Sequence, residues 1–99
     1  MNNDLVRMKT VFPDSDMNRI SEDGDGYVVD LHGKHKYEAR VLLNNIINIT
    51  MHPFNLAVIH GYKQGITLKK MIQEETINPR IVEKKSSPYN MGLTFLTVA

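Results

Sequence analysis

The feature that most restricts the fold is a change of hydrophobic period between residues 27 and 60. Residues 27–32 form a short run rich in β-branched and aromatic side chains that ends at Gly33, which is typical of a strand. Apolar residues then recur with a period of about 3.6, as on the buried face of an amphipathic helix: Ala39, Leu42, Leu43, Ile46 and Ile47. Residues 56–60 are a second β-rich run. A strand–helix–strand unit of this length predicts two parallel strands joined by a right-handed crossover.

The C-terminal third of the chain continues the alternation. Leu68, Met71 and Ile72 mark a second helix that ends before Asn78 and Pro79. Two strands follow, at about residues 80–84 and at residues 93–98, separated by a turn-rich loop. The predicted order is β-α-β-α-β-β. Because there are only two helices, we expect an α/β fold in two layers: a mixed four-stranded sheet with both helices on one face.

Residues 1–26 differ from the rest of the chain. They show no sustained period, and Pro13 and the Asp-Gly-Asp-Gly run at 23–26 are turn chemistry. Residues 1–30 hold seven acidic and three basic residues, a net charge of −4, whereas residues 31–99 hold four acidic and nine basic residues, a net charge of +5. We expect an acidic, partly flexible leader over 1–26 with few buried contacts, and one domain over 27–99. The basic domain is compatible with a polyanionic partner or with an ordinary solvated surface.

Composition excludes several classes of protein. Apolar and charged residues make up 41% and 23% of the chain, which is ordinary for a globular domain. Cysteine is absent, so disulfides, thiolate metal sites and cysteine nucleophiles are excluded. No apolar run reaches the length of a membrane span, and the N-terminus lacks the apolar stretch of a signal peptide. We therefore expect a cytoplasmic protein without a membrane partner.

Two strand ends carry the same dipeptide, His-Gly. The first strand ends in Asp30-Leu31-His32-Gly33, and the second ends in His60-Gly61. If the strands are parallel, both imidazoles emerge at the sheet edge where open α/β sheets bind ligands. Asp30 and His32 would share a strand face, roughly 6.5 to 7 Å apart along an extended chain, too far for a direct bond without bending. Asp30 could act with the two histidines, or could accept backbone N–H groups and only fix a loop.

The second corner has the composition of a phosphate site. It runs from Gly61 through Lys63 and Gly65 into a helix that starts near Thr67. The N-terminus of a helix offers unpaired N–H groups and a positive dipole end to an anion. Lys63 adds a charge in the loop, and Lys69 and Lys70 lie one turn into the helix.

These two motifs, in this order around one amphipathic helix, resemble the signature of the small MutS-related (Smr) domain family. The resemblance covers about three quarters of the chain and includes the closing Asn90–Thr94 segment, where a glycine precedes a β-rich tail. Asp30, His32 and Gly33 match the first motif, and His60, Gly61 and Gly65 match the second. Lys63 stands where the family usually has its middle glycine.

The resemblance implies a β-α-β-α-β-β sandwich similar to the C-terminal domain of translation initiation factor 3. It also implies nucleic-acid binding, to DNA or RNA, and in several members an endonuclease or nicking activity. Asp30, His32 and His60 would then be catalytic, while Gly33, Gly61, Lys63, Gly65, Lys69 and Lys70 would contact the nucleic-acid phosphates.

Three functions are compatible with these residues. His32 and His60 could share the proton transfers of phosphodiester hydrolysis, with Asp30 fixing a tautomer. A divalent metal on these three side chains is a further option, although no carboxylate cluster supports it. The same groove could instead belong to a non-catalytic module that binds nucleic acid or associates with the ribosome. A metabolic enzyme for a small phosphorylated ligand would need a deep pocket.

Overall fold

The structure is a computed structural model, and it describes residues 3–24, 26–62 and 66–99. These residues form an α/β fold with four helices and a mixed five-stranded sheet, whose strands lie in the order β1-β2-β3-β5-β4. The elements are α1 (Asn3–Val11), α2 (Asp14–Met17), β1 (Ile20–Asp23), β2 (Gly26–Asp30), α3 (Lys36–Ile49), β3 (Phe54–Ile59), α4 (Thr67–Glu74), β4 (Ile81–Ser86) and β5 (Leu93–Val98).

The two amphipathic helices bury the faces that their periodicity predicts. All five apolar residues of the α3 stripe are buried, and so are Leu68, Met71 and Ile72 of α4. β2 and β3 are parallel, with Val29 opposite Val58, so the predicted strand–helix–strand unit is confirmed. Within the described residues, no helix is both long and apolar enough to cross a membrane.

The sheet buries one side of its central strands. Successive side chains of a strand point to opposite faces, and one set is almost fully buried in the core: Tyr27, Val29, Phe54, Leu56, Val58, Leu96 and Val98. The alternate set is less covered, since Val28 and Ile59 are half-buried and Phe95 is exposed. The helices contribute their apolar residues to the same core as the buried set.

The described residues add one strand and two helices, all from the leader, to the predicted four-stranded sheet with two helices. β1 pairs antiparallel with β2, with Ile20 opposite Val29, and so adds a fifth strand from the leader. Ile20 is the single buried residue of this four-residue strand. A strand this short, with one apolar side chain turned inward, leaves no alternation that sequence inspection could detect.

The leader also packs on the rest of the chain, in contrast to the few buried contacts expected of it. Met8 of α1 is fully buried in the common core. Asp4 is buried as well: its carboxylate oxygens lie 2.5 Å from Arg7 Nη2, 2.7 Å from His52 Nε2 and 3.3 Å from the Tyr27 hydroxyl. A buried carboxylate is stable only when it is hydrogen-bonded or paired, and these contacts attach α1 to the strands beneath it.

Candidate functional site

The first His-Gly corner is a tight turn that begins as soon as β2 ends at Asp30. The Lys34 N–H donates to the Leu31 carbonyl oxygen at 3.0 Å, which closes a turn of four residues. Gly33 occupies the third position with φ 81°, a left-handed conformation that this kind of turn requires and that glycine adopts without strain. The strand is therefore shorter than predicted, and His32 lies in the turn.

This bend joins Asp30 and His32, which the sequence placed too far apart for a direct bond. His32 Nδ1 lies 2.5 Å from Asp30 Oδ1, and the same oxygen accepts the His32 backbone N–H at 3.1 Å. The expected separation assumed an extended strand, and the turn replaces that geometry. Asp30 thus contacts the imidazole of His32 and also accepts the backbone N–H of the same residue.

The pair has the arrangement of a carboxylate–histidine dyad. Because the Asp30 carboxylate faces Nδ1, that nitrogen carries the proton, and the lone pair of a neutral ring is then on Nε2. The His32 side chain is 68% exposed and that of Asp30 is 35% exposed. Within the described ranges, Nε2 of His32 has no hydrogen-bond partner. An oriented and accessible Nε2 can accept a proton from a reactant.

His60 has a different environment from His32, although both follow parallel strands. Its side chain is almost completely buried, with Nδ1 at 2.7 Å from the Gly61 carbonyl oxygen and Nε2 at 2.9 Å from Thr94 Oγ1. The carbonyl oxygen can only accept, so Nδ1 carries a proton. The Thr94 oxygen accepts an N–H from Gln73 at 3.0 Å, which leaves the hydroxyl proton to be donated to Nε2.

The electrostatics of His60 agree with this hydrogen bonding. Burial lowers the pKa of His60 below its ordinary value, the hydrogen bond to Gly61 opposes this change, and the charge of Lys69 adds to the lowering. The ring is therefore neutral near pH 7, with both nitrogens bonded inside the protein. His60 joins the end of β3 to β5 in this arrangement, and a proton transfer through it would require one of these bonds to break.

A cavity of about 620 Å³ connects the two corners. Four of the residues selected from the sequence line it, namely His32, Gly33, His60 and Gly61. The side chains of Lys34, Tyr62, Thr67, Leu68 and Asn90 complete much of the wall. Asp30 is not part of this lining, but it contacts His32, which is. The volume falls within the usual range for small-molecule sites.

Close backbone packing holds the corners side by side. Gly61 has φ 74°, and a Cβ atom added to it would lie 3.6 Å from the Cβ of His32. The carbonyl oxygen of Gly92 accepts the N–H groups of both His60 and Gly61, at 2.8 and 3.1 Å. Asn90 Oδ1 in turn accepts the Gly92 N–H at 2.8 Å, so the β4–β5 loop is fixed against the second corner.

Positive charge near the cavity comes from lysines of both corners. Lys34 lines the cavity and forms an ion pair with Asp16 of the leader, with 3.1 Å between Nζ and Oδ1. Lys69 is half-buried and Lys70 exposed on α4, whose first residue, Thr67, lines the cavity. Two candidate phosphate contacts, Lys63 and Gly65, lie outside the described residues.

The described residues do not form a metal centre. Over residues 3–24, 26–62 and 66–99, no three His, Cys, Asp or Glu side chains converge closely enough to hold a metal ion. Asp30 and His32 meet, but the nitrogens of His60 face Gly61 and Thr94 instead. A divalent metal at the dyad would thus need further ligands besides Asp30 and His32.

Several residues of the site were not found from the sequence. Arg19, Gln73 and Thr94 act through contacts with residues distant in the chain, and no local pattern indicates them. Asn90 could have been found, because Asn-x-Gly before a strand is typical of an Asx turn.

Comparison of the sequence with protein-family models finds no match. Comparison with curated proteins finds no significant similarity. The resemblance to the Smr family therefore stays a prediction, and the function has to be argued from the geometry of the site.

Proposed function

We propose that this chain is a nucleic-acid-binding domain of the Smr type that cleaves phosphodiester bonds. The observation that carries the proposal is the Asp30–His32 dyad, with 2.5 Å between Oδ1 and Nδ1 and an accessible Nε2 at the rim of the cavity. An imidazole oriented by a carboxylate is suited to moving a proton in the transition state.

The proposed chemistry assigns one role to each group. Nε2 of His32 accepts a proton from the attacking water as its oxygen bonds to phosphorus, and Asp30 stabilises the imidazolium that forms. The imidazolium returns the proton to the leaving oxygen as the bond between that oxygen and phosphorus breaks. Lys69, Lys70 and the first turn of α4 supply positive charge to the phosphoryl oxygens. The α4 N-cap residue is Ile66, whose apolar side chain has no atom that could accept from the first N–H groups of the helix, and helix N-termini of this kind can bind anions.

The order of elements supports the proposed family. From β2 onward the chain runs β2-α3-β3-α4-β4-β5, the β-α-β-α-β-β order that the resemblance implies. We propose that this part is a two-layer sandwich similar to the C-terminal domain of translation initiation factor 3. The burial of one side of β2, β3 and β5 is in keeping with helices on a single sheet face. β1 and the two leader helices would then be additions to that core.

A non-catalytic nucleic-acid-binding module is the second candidate, and one observation favours it. Both ring nitrogens of His60 are engaged, with Gly61 and Thr94. Of the two imidazoles expected to transfer protons, His32 and His60, His32 alone then has a nitrogen accessible to a substrate. The proton transfers to and from the reacting oxygens are commonly shared between two groups. In this reading, the dyad would shape the groove that binds phosphate.

A cleavage assay separates the two candidates. We would incubate purified protein with labelled single-stranded RNA, single-stranded DNA and duplex DNA, with and without a chelator. His32→Ala and Asp30→Asn should each lower cleavage by about a hundredfold or more, the usual scale of general acid–base catalysis, and should retain binding within a few-fold. His35→Ala is the matched control, because it removes another exposed imidazole three residues away.

The outcomes of this assay are distinct. A wild-type protein that binds but never cleaves supports the non-catalytic module. Dyad variants that cleave as fast as wild type place the chemistry elsewhere. Melting curves of each variant are needed, because Asp30 also accepts the His32 backbone N–H and its replacement could loosen the turn.

Salt dependence tests the polyanion partner itself. Lysines that contact phosphates release counterions, so log affinity should fall linearly with log salt concentration. Lys70→Ala should weaken binding to all sequences alike and reduce the slope by about one unit. Lys9→Ala removes an exposed lysine on α1 and should leave the slope unchanged. Absence of binding at low salt would contradict the proposal.

A further inference from the structure

One arginine of the leader holds the backbone of the first corner. Arg19 lies immediately before β1, and its Nη1 donates to the carbonyl oxygens of Asp30 and His32 at 2.9 and 3.0 Å. The carbonyl oxygen of Arg19 accepts the Asp30 N–H at 2.9 Å. Three hydrogen bonds from one residue thus fix the chain on both sides of Leu31.

The two carbonyl groups that Arg19 contacts belong to Asp30 and His32, the residues of the dyad, so the backbone held by Arg19 is the backbone that carries both side chains. In an extended strand, residues two apart are roughly 6.5 to 7 Å from each other, whereas Asp30 Oδ1 and His32 Nδ1 are 2.5 Å apart. The turn that closes this gap has Leu31 as its first residue. Leu31 is fully buried, and its N–H donates to the Ile59 carbonyl oxygen at 2.7 Å. With Leu31 anchored to β3, the Arg19 guanidinium constrains the backbone on either side of it.

A second contact from the leader supports the far end of the same turn. Asp16 of α2 forms an ion pair with Lys34, the last residue of the turn, with 3.1 Å between Oδ1 and Nζ. Both side chains of this pair are largely buried, so the contact is better shielded from solvent than an ordinary surface ion pair. The leader therefore holds the turn at both ends.

We infer that Arg19 is a positioning residue that keeps Asp30 and His32 paired, which makes the leader part of the candidate site. The effect on cleavage rests on the proposed function, whereas the effect on the dyad does not. Removing Arg19 leaves two carbonyl groups without their shared donor and frees the backbone that flanks Leu31. The imidazole of His32 then loses its fixed distance to Asp30.

The experiment measures the state of the His32 ring directly. Nitrogen-15 NMR of the imidazoles distinguishes the tautomer with the proton on Nδ1 from the one with it on Nε2, and the spectrum of His32→Ala assigns the signals of His32. In wild-type protein we expect the Nδ1–H tautomer, because Asp30 faces that nitrogen. In Arg19→Ala we expect a mixture of the two tautomers.

Two further variants separate positioning from general stability. Arg7→Ala is the matched control: Arg7 is the other leader arginine that donates to a carbonyl oxygen, that of Ile49 at 2.6 Å, and it lies on α1. It should leave the His32 signals unchanged even if it lowers the melting temperature. Arg19→Gln keeps a shorter donor and should give an intermediate tautomer ratio, and this variant decides the question if Arg19→Ala does not fold.

The cleavage assay adds a second readout. Arg19→Ala should lower kcat by about a hundredfold, the effect that a displacement of reacting groups by about 1 Å can have, with little change in KM. The inference is overturned if Arg19→Ala and Arg19→Gln keep the wild-type tautomer, or if Arg7→Ala changes it equally. A wild-type protein that never cleaves contradicts the proposed endonuclease alone, because the NMR result still tests Arg19.

Discussion

Replacing Met8 by alanine tests whether the leader belongs to the folded core. Met8 lies on α1 and is fully buried among residues of the sheet and the other helices. Truncating a buried methionine to alanine costs about 2–5 kcal/mol, from lost transfer energy and the cavity that remains. A domain of this size is stable by about 5–15 kcal/mol. Since each kcal/mol lowers the melting temperature by about 4–8 °C, the expected fall is on the order of 8–40 °C.

The measurement is thermal unfolding followed by circular dichroism and calorimetry, with an exposed residue of the same helix as control. Val11 is 64% exposed, so Val11→Ala should change stability by about 0.5 kcal/mol or less. If Met8→Ala melts at the same temperature as Val11→Ala, the packing of α1 contributes nothing to stability. The leader would then be the loosely attached segment that its sequence suggests.

Three other changes test the turn and two histidines, His60 and His52. Gly33→Ala should lower the free energy of unfolding, measured with denaturant, by about 1–2 kcal/mol, because a φ of 81° is strained for any residue with a Cβ. An unchanged free energy of unfolding would show that alanine is not strained at this position. Burial lowers the pKa of His60 from 6.5, so the unfolded chain protonates first and stability should decline as pH falls below about 6.5. In His60→Gln the free energy of unfolding should fall less steeply below pH 6.5 than in the wild type. An equally steep fall would contradict the role assigned to His60. The Pro53 carbonyl, and then Asp4, raise the pKa of His52 above 6.5. The protonated ring of His52 stabilises the fold below pH 6.5, and this stabilisation should be lost as pH rises through the pKa of His52 in the folded protein. In His52→Gln the free energy of unfolding should no longer fall over this pH range. A fall of the same size in the variant would contradict this assignment.

The fold could be predicted where neighbouring residues carry the information. The buried stripes of α3 and α4 and the parallel pairing of β2 with β3 follow from a hydrophobic period repeated over many residues. β1 could not be found in this way, because a single inward side chain, Ile20, sets its register against β2. The burial of Met8 was missed for the same reason, since α1 contacts the core through few side chains.

The candidate site shows the same division. The motifs placed His32 and His60 at one sheet edge, and both line the same cavity. The sequence did not separate their environments, because the two strand ends have the same His-Gly dipeptide. His32 contacts Asp30, which a turn brings close to it. His60 contacts Thr94, which lies on β5, 34 residues further along the chain.

The sequence by itself therefore determined α3 and α4, the parallel strand pair and the edge at which the histidines emerge. Tertiary structure decided the fifth strand, the contact between Asp30 and His32, and the engagement of His60 with Thr94. The physical reason is the range of the interactions. Hydrophobic periodicity is a property of residues close in the chain, whereas the polar contacts depend on distances of a few ångströms between segments that only folding brings together. Arg19, which bonds to a carbonyl oxygen 13 residues further along the chain, belongs to this second group.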